Sequence, residues 1–209
     1  MNLRLPPGSV FCIYFILQGE SIYYTLALTL VITGKEILMS TESQVDTDLA
    51  NLIGKPTGKS RVVLERGPVA YFALAVGDKS PTYQDTRAAE AAGLPGIPVP
   101  PTFAFAWDTW GKFPEIQPED DTPQGSAVGA VVGSLMSKGG TILHGEQEFI
   151  YHKPVYVGDV LVGEGKVVDA YRKESKGHVM TFVVTEMVWR DDKTGDPVVT
   201  SRSNIIHRL

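Results

Sequence analysis

The last third of the chain is written as four extended segments, residues 145–152, 159–171, 178–190 and 197–207, dense in β-branched and aromatic side chains. Turn chemistry parts them: Pro154 and Gly158, then Lys173-Glu174-Ser175-Lys176-Gly177, then Asp191-Asp192-Lys193-Thr194-Gly195. Long consecutive strands joined by short turns make an antiparallel meander, and its apolar face needs a covering layer. That cover lies upstream. Val69, Phe72, Ala73 and Val76 recur at helical spacing behind Pro68, which predicts a helix running to Gly77. The expected class is therefore α+β, a curved antiparallel sheet wrapped on a helix. No internal repeat is visible, so the chain holds one such unit.

Between helix and strands the sequence is punctuated. Residues 78–85 read as a loop, and 86–92 as a short alanine-rich helix closed by Gly93. Pro95, Pro98, Pro100 and Pro101 exclude regular structure from 95–101, which is expected to cross the surface as an extended loop. Residues 102–110 carry Phe103, Phe105, Trp107 and Trp110 and are expected to be a helix buried on several sides, capped by Thr102. Residues 114–123 form an acidic, proline-bearing linker. In 124–136, Gly and Ala alternate with Val, which suits either close helix packing or a flexible insert.

Length and charge limit the function. With 209 residues and 43% hydrophobic content there is core enough for one domain without staples, and little room for two. A formal charge of -5, with 19 dispersed Lys and Arg, gives no basic field for nucleic acid. Cys12 is the one cysteine, so neither an intramolecular disulfide nor a thiolate zinc site is available. No glycine-rich dinucleotide turn and no His/Cys ligand spacing is present, so neither a cofactor nor a metal is expected. These features fit the reducing cytoplasm.

The first 38 residues stand apart. Apolar runs at 10–17 and 22–32 are split by Gln18-Gly19-Glu20, and neither reaches the ~20 residues of a spanning helix. Three readings stay open: an anchor or signal, a structural extension, or a start mis-called upstream of Met39, where Ser40-Thr41-Glu42-Ser43-Gln44 turns polar. The expected division is an apolar extension over 1–38 and a single domain over 39–209, with no membrane role for the folded part.

The residues that carry chemistry lie at Gly77-Asp78-Lys79-Ser80-Pro81-Thr82-Tyr83-Gln84-Asp85, followed by Ala89 and Gly93-Leu94. This run resembles the signature of the MaoC-like, or (R)-specific, hydratases: Gly-Asp-x-Asn-Pro-x-His-x-Asp, then Ala four positions on and a later Gly. A second stretch, from Leu143-His144-Gly145 through Tyr151-His152-Lys153-Pro154-Val155 to Val157-Gly158-Asp159, is similar to the strand that opens the sheet in that family. The likeness spans roughly residues 50–209. Within the family it is nearest the FAS1-like dehydratase branch, which includes small subunits of actinobacterial hydroxyacyl-ACP dehydratases.

The resemblance implies a hot-dog fold and hydration of a 2-enoyl thioester or the reverse dehydration, as in fatty-acyl metabolism. That reaction needs a base and an acid acting on one water, and donors for the thioester oxygen as enolate charge builds. Asp78 occupies the place of the family's acid/base Asp. Its histidine place holds Tyr83, whose ordinary pKa near 10 suits it poorly to proton exchange at neutral pH. Ser80 replaces the motif's Asn. The helix-starting Gly that would turn a backbone N–H to the oxyanion falls near Pro101 or Thr102.

Asp78 is thus read either as catalytic or as the cap of a turn, and Tyr83 either as a proton donor or as a wall residue. The expected substrate contacts are Gly77, Ser80, Pro81, Thr102, Phe103 and His144, with His144 a candidate stand-in for the missing imidazole. His152 is a second candidate stand-in, but its place in a strand beside Lys153-Pro154 favours a surface or interface role, and His178 and His207 have no partner legible in sequence. Lys79, Arg87 and Lys153 are candidates for CoA or phosphopantetheine phosphates.

The leading expectation is the substrate-holding half of a (3R)-hydroxyacyl-thioester dehydratase, acting on acyl-CoA or acyl-ACP. Its partner would be a second MaoC-like hot-dog subunit or, as a homodimer, a second copy. A self-sufficient hydratase or thioesterase using Asp78, and a non-catalytic acyl-binding or scaffolding protein, stand beside it.

Overall fold

Six strands, β1 (Ser9–Tyr14), β2 (Pro56–Val63), β3 (Thr141–Tyr151), β4 (Val160–Ser175), β5 (His178–Asp191) and β6 (Pro197–Arg208), form one antiparallel sheet in the order β1-β3-β6-β5-β4-β2. This is seen in a computed structural model that describes residues 9–14, 47–119, 127–175 and 177–209. The last four strands fall on the four segments expected, with bounds shifted by up to four residues. Most of the 1–38 stretch lies outside the described residues. Within it, β1 pairs along β3, from Ser9 opposite Tyr151 to Tyr14 opposite Glu146.

Only three of those four strands form the meander. β4, β5 and β6 follow one another, but β3 pairs with β6 and not with β4. The reason lies in the segment after β3. Its backbone bonds run to other parts of the chain: His152 N–H donates to Val198 O, Val157 N–H to Ile97 O and Gly158 N–H to Leu64 O. A stretch tied at both ends to other elements cannot fold back as a hairpin, so Pro154 and the left-handed Gly158 (φ +95°) mark a crossing.

Five α-helices are described: α1 (Thr47–Ala50), α2 (Arg66–Ala75), α3 (Thr86–Ala91), α4 (Trp107–Trp110) and α5 (Ala127–Met136). α2 buries Val69 and Ala73, two of the four residues that predicted it, while Val76 is 42% exposed. Pro68 sits in its first turn, where the missing N–H has no intrahelical acceptor to lose. Of the 124–136 stretch, residues 127–136 are helical and 124–126 lie outside the described residues; α5 reaches β2, β3 and β6.

Two expectations need correction. Residues 102–110 are not one helix: a 3₁₀ turn, Pro101–Phe105, gives way at Ala106 to the single turn of α4. Its cap position is Pro100, not Thr102, and no side chain caps it. Pro100, held out of the helical region by the proline that follows it, makes Pro101 the first position of the turn. Nor does 95–101 merely skirt the surface. Ile97 is 4% exposed and belongs to the core, and Val99 N–H donates to Val155 O at 2.9 Å. The residues between the prolines keep their donors and pair with the crossing.

The core lies between α2, the 101–110 segment and the inner face of the sheet, with Val62, Leu64, Phe103, Trp107, Phe149 and Trp189 at its centre. Trp107 meets Trp189 edge-on at 5.3 Å. Gly163 makes room for that pair, since a Cβ there would lie 2.8 Å from the Trp189 ring. The start of the acidic linker is fixed to β2: the Gln117 side chain accepts from Arg61 N–H and donates to Arg61 O. The linker beyond residue 119 lies outside the described residues.

Candidate functional site

Residues 77–85 are shaped position by position. Gly77 ends α2 at φ +80°, and Gly77 and Asp78 N–H groups close on Leu74 O and Ala73 O. The Asp78 carboxylate accepts from Ser80 N–H at 2.9 Å, an Asx turn. Ser80 Oγ meets Thr82 Oγ1 at 2.8 Å, and Pro81 opens the 3₁₀ turn Pro81–Tyr83. Gln84 ties the loop to α2 through Ala70 O, and Asp85 caps α3 by accepting from Arg87 and Ala88 N–H. Ala89 is fully buried, and Gly93 (φ +75°) stops α3. Every position that matches the signature thus has a local structural task.

The loop brings Tyr83 to Asp78. Burial raises the Tyr83 phenol above its ordinary range, and the Asp78 carboxylate raises it further. Tyr151, on β3, joins them. It is 7% exposed, donates its hydroxyl to Pro101 O, and is pushed up by burial and then by Tyr83. At neutral pH both phenols keep their protons, Tyr83 beside the Asp78 carboxylate and Tyr151 beside Tyr83. Pro100 and Pro101 lack N–H, so the first backbone donor of the neighbouring turn belongs to Thr102. Nothing local marks Tyr151 as different from any inward-facing strand tyrosine, and only the fold brings it here.

The other expected contacts scatter. Phe103 is core, edge-on to Phe72 at 5.1 Å and to Trp110 at 6.0 Å. His144 lies seven residues before Tyr151 on β3, about 23 Å along the strand at ~3.3 Å per residue. Its half-buried ring meets Phe105 edge-on at 5.3 Å, and burial lowers its pKa. The remaining imidazoles are also held at other points: His152 by Thr200 Oγ1 at 2.9 Å, His178 by Leu209 O at 3.3 Å and His207 by Gly139 O at 2.7 Å. These are all four histidines of the chain. Lys153 lies 3.8 Å from both Asp191 and Asp196, and Lys79 and Arg87 are exposed. Among the described residues no cluster of three or more His, Cys, Asp or Glu side chains is placed to hold a metal. Nor is any described helix long and apolar enough to cross a membrane.

Residues 51–201 match the family model described as FAS1-like, dehydratase domain region. The chain belongs to the FAS1-like dehydratase region family. A relative in Saccharopolyspora erythraea, named UPF0336 protein, is 34% identical over 143 residues, covering 68% of this chain and 80% of its own. A protein of Thermomonospora curvata named as a probable enoyl-CoA hydratase alpha subunit is 25% identical, over 66% of this chain and 43% of that one.

Among solved structures, the ChsH1–ChsH2 complex of Mycobacterium tuberculosis superimposes with a TM-score of 0.59 at 22% identity, over 73% of this chain and 83% of that one. C-terminally truncated HadBC, a (3R)-hydroxyacyl-ACP dehydratase complex of the same organism, gives 0.53 at 20% identity, over 74% and 96%. The fold of this FAS1-like dehydratase chain is accordingly the α+β hot-dog of the MaoC-like proteins.

Proposed function

We propose that this chain is the substrate-holding subunit of a (3R)-hydroxyacyl-thioester dehydratase, equivalently a 2-enoyl-thioester hydratase, working beside a second hot-dog chain that carries the Asp/His pair. Hydration places a water hydroxyl on C3 of the enoyl group and a proton on C2. One group must take a proton from water and a group must return one to C2. An imidazole does both near neutrality; a phenol raised by burial does neither well.

The observation that carries this reading is the meeting of Asp78 with Tyr83, while all four imidazoles are engaged at other points. The named two-chain complexes among the structural neighbours support a hot-dog partner, and family membership supports the reaction class.

The test is reconstitution. The chain is co-expressed with a MaoC-like subunit holding an intact Gly-Asp-x-Asn-Pro-x-His motif, and crotonyl-thioester hydration is measured for the pair and for each chain. Activity confined to the pair supports the assignment. A partner that is equally active alone, with no gain from this chain, removes it.

A further inference from the structure

A cavity of about 190 Å³ lies between the 101–110 segment and the inner face of the sheet, beyond Ala104 and Phe105. Besides Ala104, Phe105, Met187 and Trp189, its lining residues all carry oxygen-bearing polar side chains, among them Gln147, Thr185, Ser201, Ser203 and a Glu186 already paired with Arg202. For an inner sheet face beside a hydrophobic core this is an unusual lining.

Strand register shows how it arises. Tyr151, Val199 and Trp189 stand side by side across β3, β6 and β5; the next inward-facing row is Phe149, Ser201 and Met187; the one after is Gln147, Ser203 and Thr185. Polarity therefore rises row by row away from Tyr151 and the Asp78–Tyr83 loop, and the wholly polar row lies four residues, about 13 Å, along β3. Some of these groups are tied to the protein: Gln147 Nε2 donates to Arg202 O at 2.9 Å, Thr185 Oγ1 reaches Ser203 O at 3.5 Å, and Ser60 Oγ donates to Asp108. No bond to the Ser201 or Ser203 hydroxyl appears among the contacts of the described side chains, and both line the cavity.

The geometry points to this row as a specificity site for a polar acyl tail: resting on the dehydratase reading, the chain holds a thioester whose distal end bears a hydroxyl or carbonyl oxygen. A plain hydrocarbon filling the cavity would strip water from these hydroxyls and return no hydrogen bond, whereas an oxygenated tail restores one. A site built to hydrogen-bond a ligand group discriminates strongly against the analogue that lacks it.

The probes are decanoyl-CoA and ω-hydroxydecanoyl-CoA, both saturated and so unable to react, titrated calorimetrically into the full-length protein alone and with its co-expressed partner. The expected result is binding of the hydroxylated thioester about tenfold or more tightly, with Ser203→Ala plus Thr185→Val bringing the two to equal affinity by loosening the hydroxylated one alone. Should that double variant not fold, Ser201→Ala serves, with a reduced preference expected. Equal affinities in the unaltered protein, or a preference that survives the substitutions, overturn the specificity site and leave the dehydratase reading standing. If neither thioester binds, the dehydratase reading itself falls.

Discussion

The Asp78 carboxylate lies close enough to the Tyr83 phenol to raise its pKa beyond what burial alone does. A carboxylate that strengthens a neighbour's hold on its proton is a poor relay with it, because the proton must leave that phenol for water to be split or made. This relationship separates binding from proton transfer in the chain and sets what substitutions should do.

In the reconstituted two-chain enzyme, Asp78→Asn in this subunit should change kcat by no more than about threefold, against the ~10²–10⁴-fold loss that removal of a working acid or base produces. Asparagine keeps an oxygen for the Ser80 N–H, so the Asx turn survives. Steady-state kinetics of the variant complex checks this.

Alkaline stability follows from the two raised tyrosines. Each holds its proton more tightly folded than unfolded, so above about pH 10 the unfolded chain has released protons that the folded one keeps. The stability is fully present below that pH and is lost as pH rises through the folded-state values. Tyr151→Phe should flatten this alkaline decline, and should cost about 0.5–1.5 kcal/mol at neutral pH through the lost hydrogen bond to Pro101 O. Urea unfolding of both proteins across the alkaline range measures both effects.

The strands were legible because extended runs and the turn residues that part them are local signals. Their pairing was not. Whether β3 lies beside β4 or β6 depends on where the 152–159 segment finds backbone partners, and those are Ile97, Val198 and Leu64, far away in sequence. The 102–110 helix was read from aromatic content, which does not tell a 3₁₀ turn followed by one α-turn from a continuous α-helix.

Asp78 and Tyr83 were legible as a pair through their interval in the loop, and the fold does bring them together. Tyr151 was not, because its nearness to Tyr83 is a matter of tertiary placement. His144 was named for its imidazole, as a stand-in for the one the motif lacks, and it lies seven residues along β3 from Tyr151. The graded polarity of the inner face needed register across three strands, which no linear reading supplies.

Asp85→Ala should destabilise the chain by about 0.5–2 kcal/mol, the usual range for loss of a helix cap. Its carboxylate is the acceptor for Arg87 N–H at 2.7 Å and Ala88 N–H at 3.3 Å. Denaturant unfolding gives the value, and Asp85→Asn should recover most of it.

Gly163→Ala should cost about 1–3 kcal/mol, as overpacking in a close-packed core does. The added Cβ would sit 2.8 Å from the Trp189 ring and 2.9 Å from Met187 Sδ, and Trp189 is itself pinned by Trp107. A lowered melting temperature with a red-shifted tryptophan emission is the expected signature.

The most direct test of the central claim is the rate at which the purified chain, free of any partner, hydrates crotonyl-CoA. The account predicts a rate indistinguishable from the uncatalysed background, because no imidazole stands with Asp78. Turnover in the ordinary enzymatic range of about 1–10³ s⁻¹ by the isolated chain would contradict it.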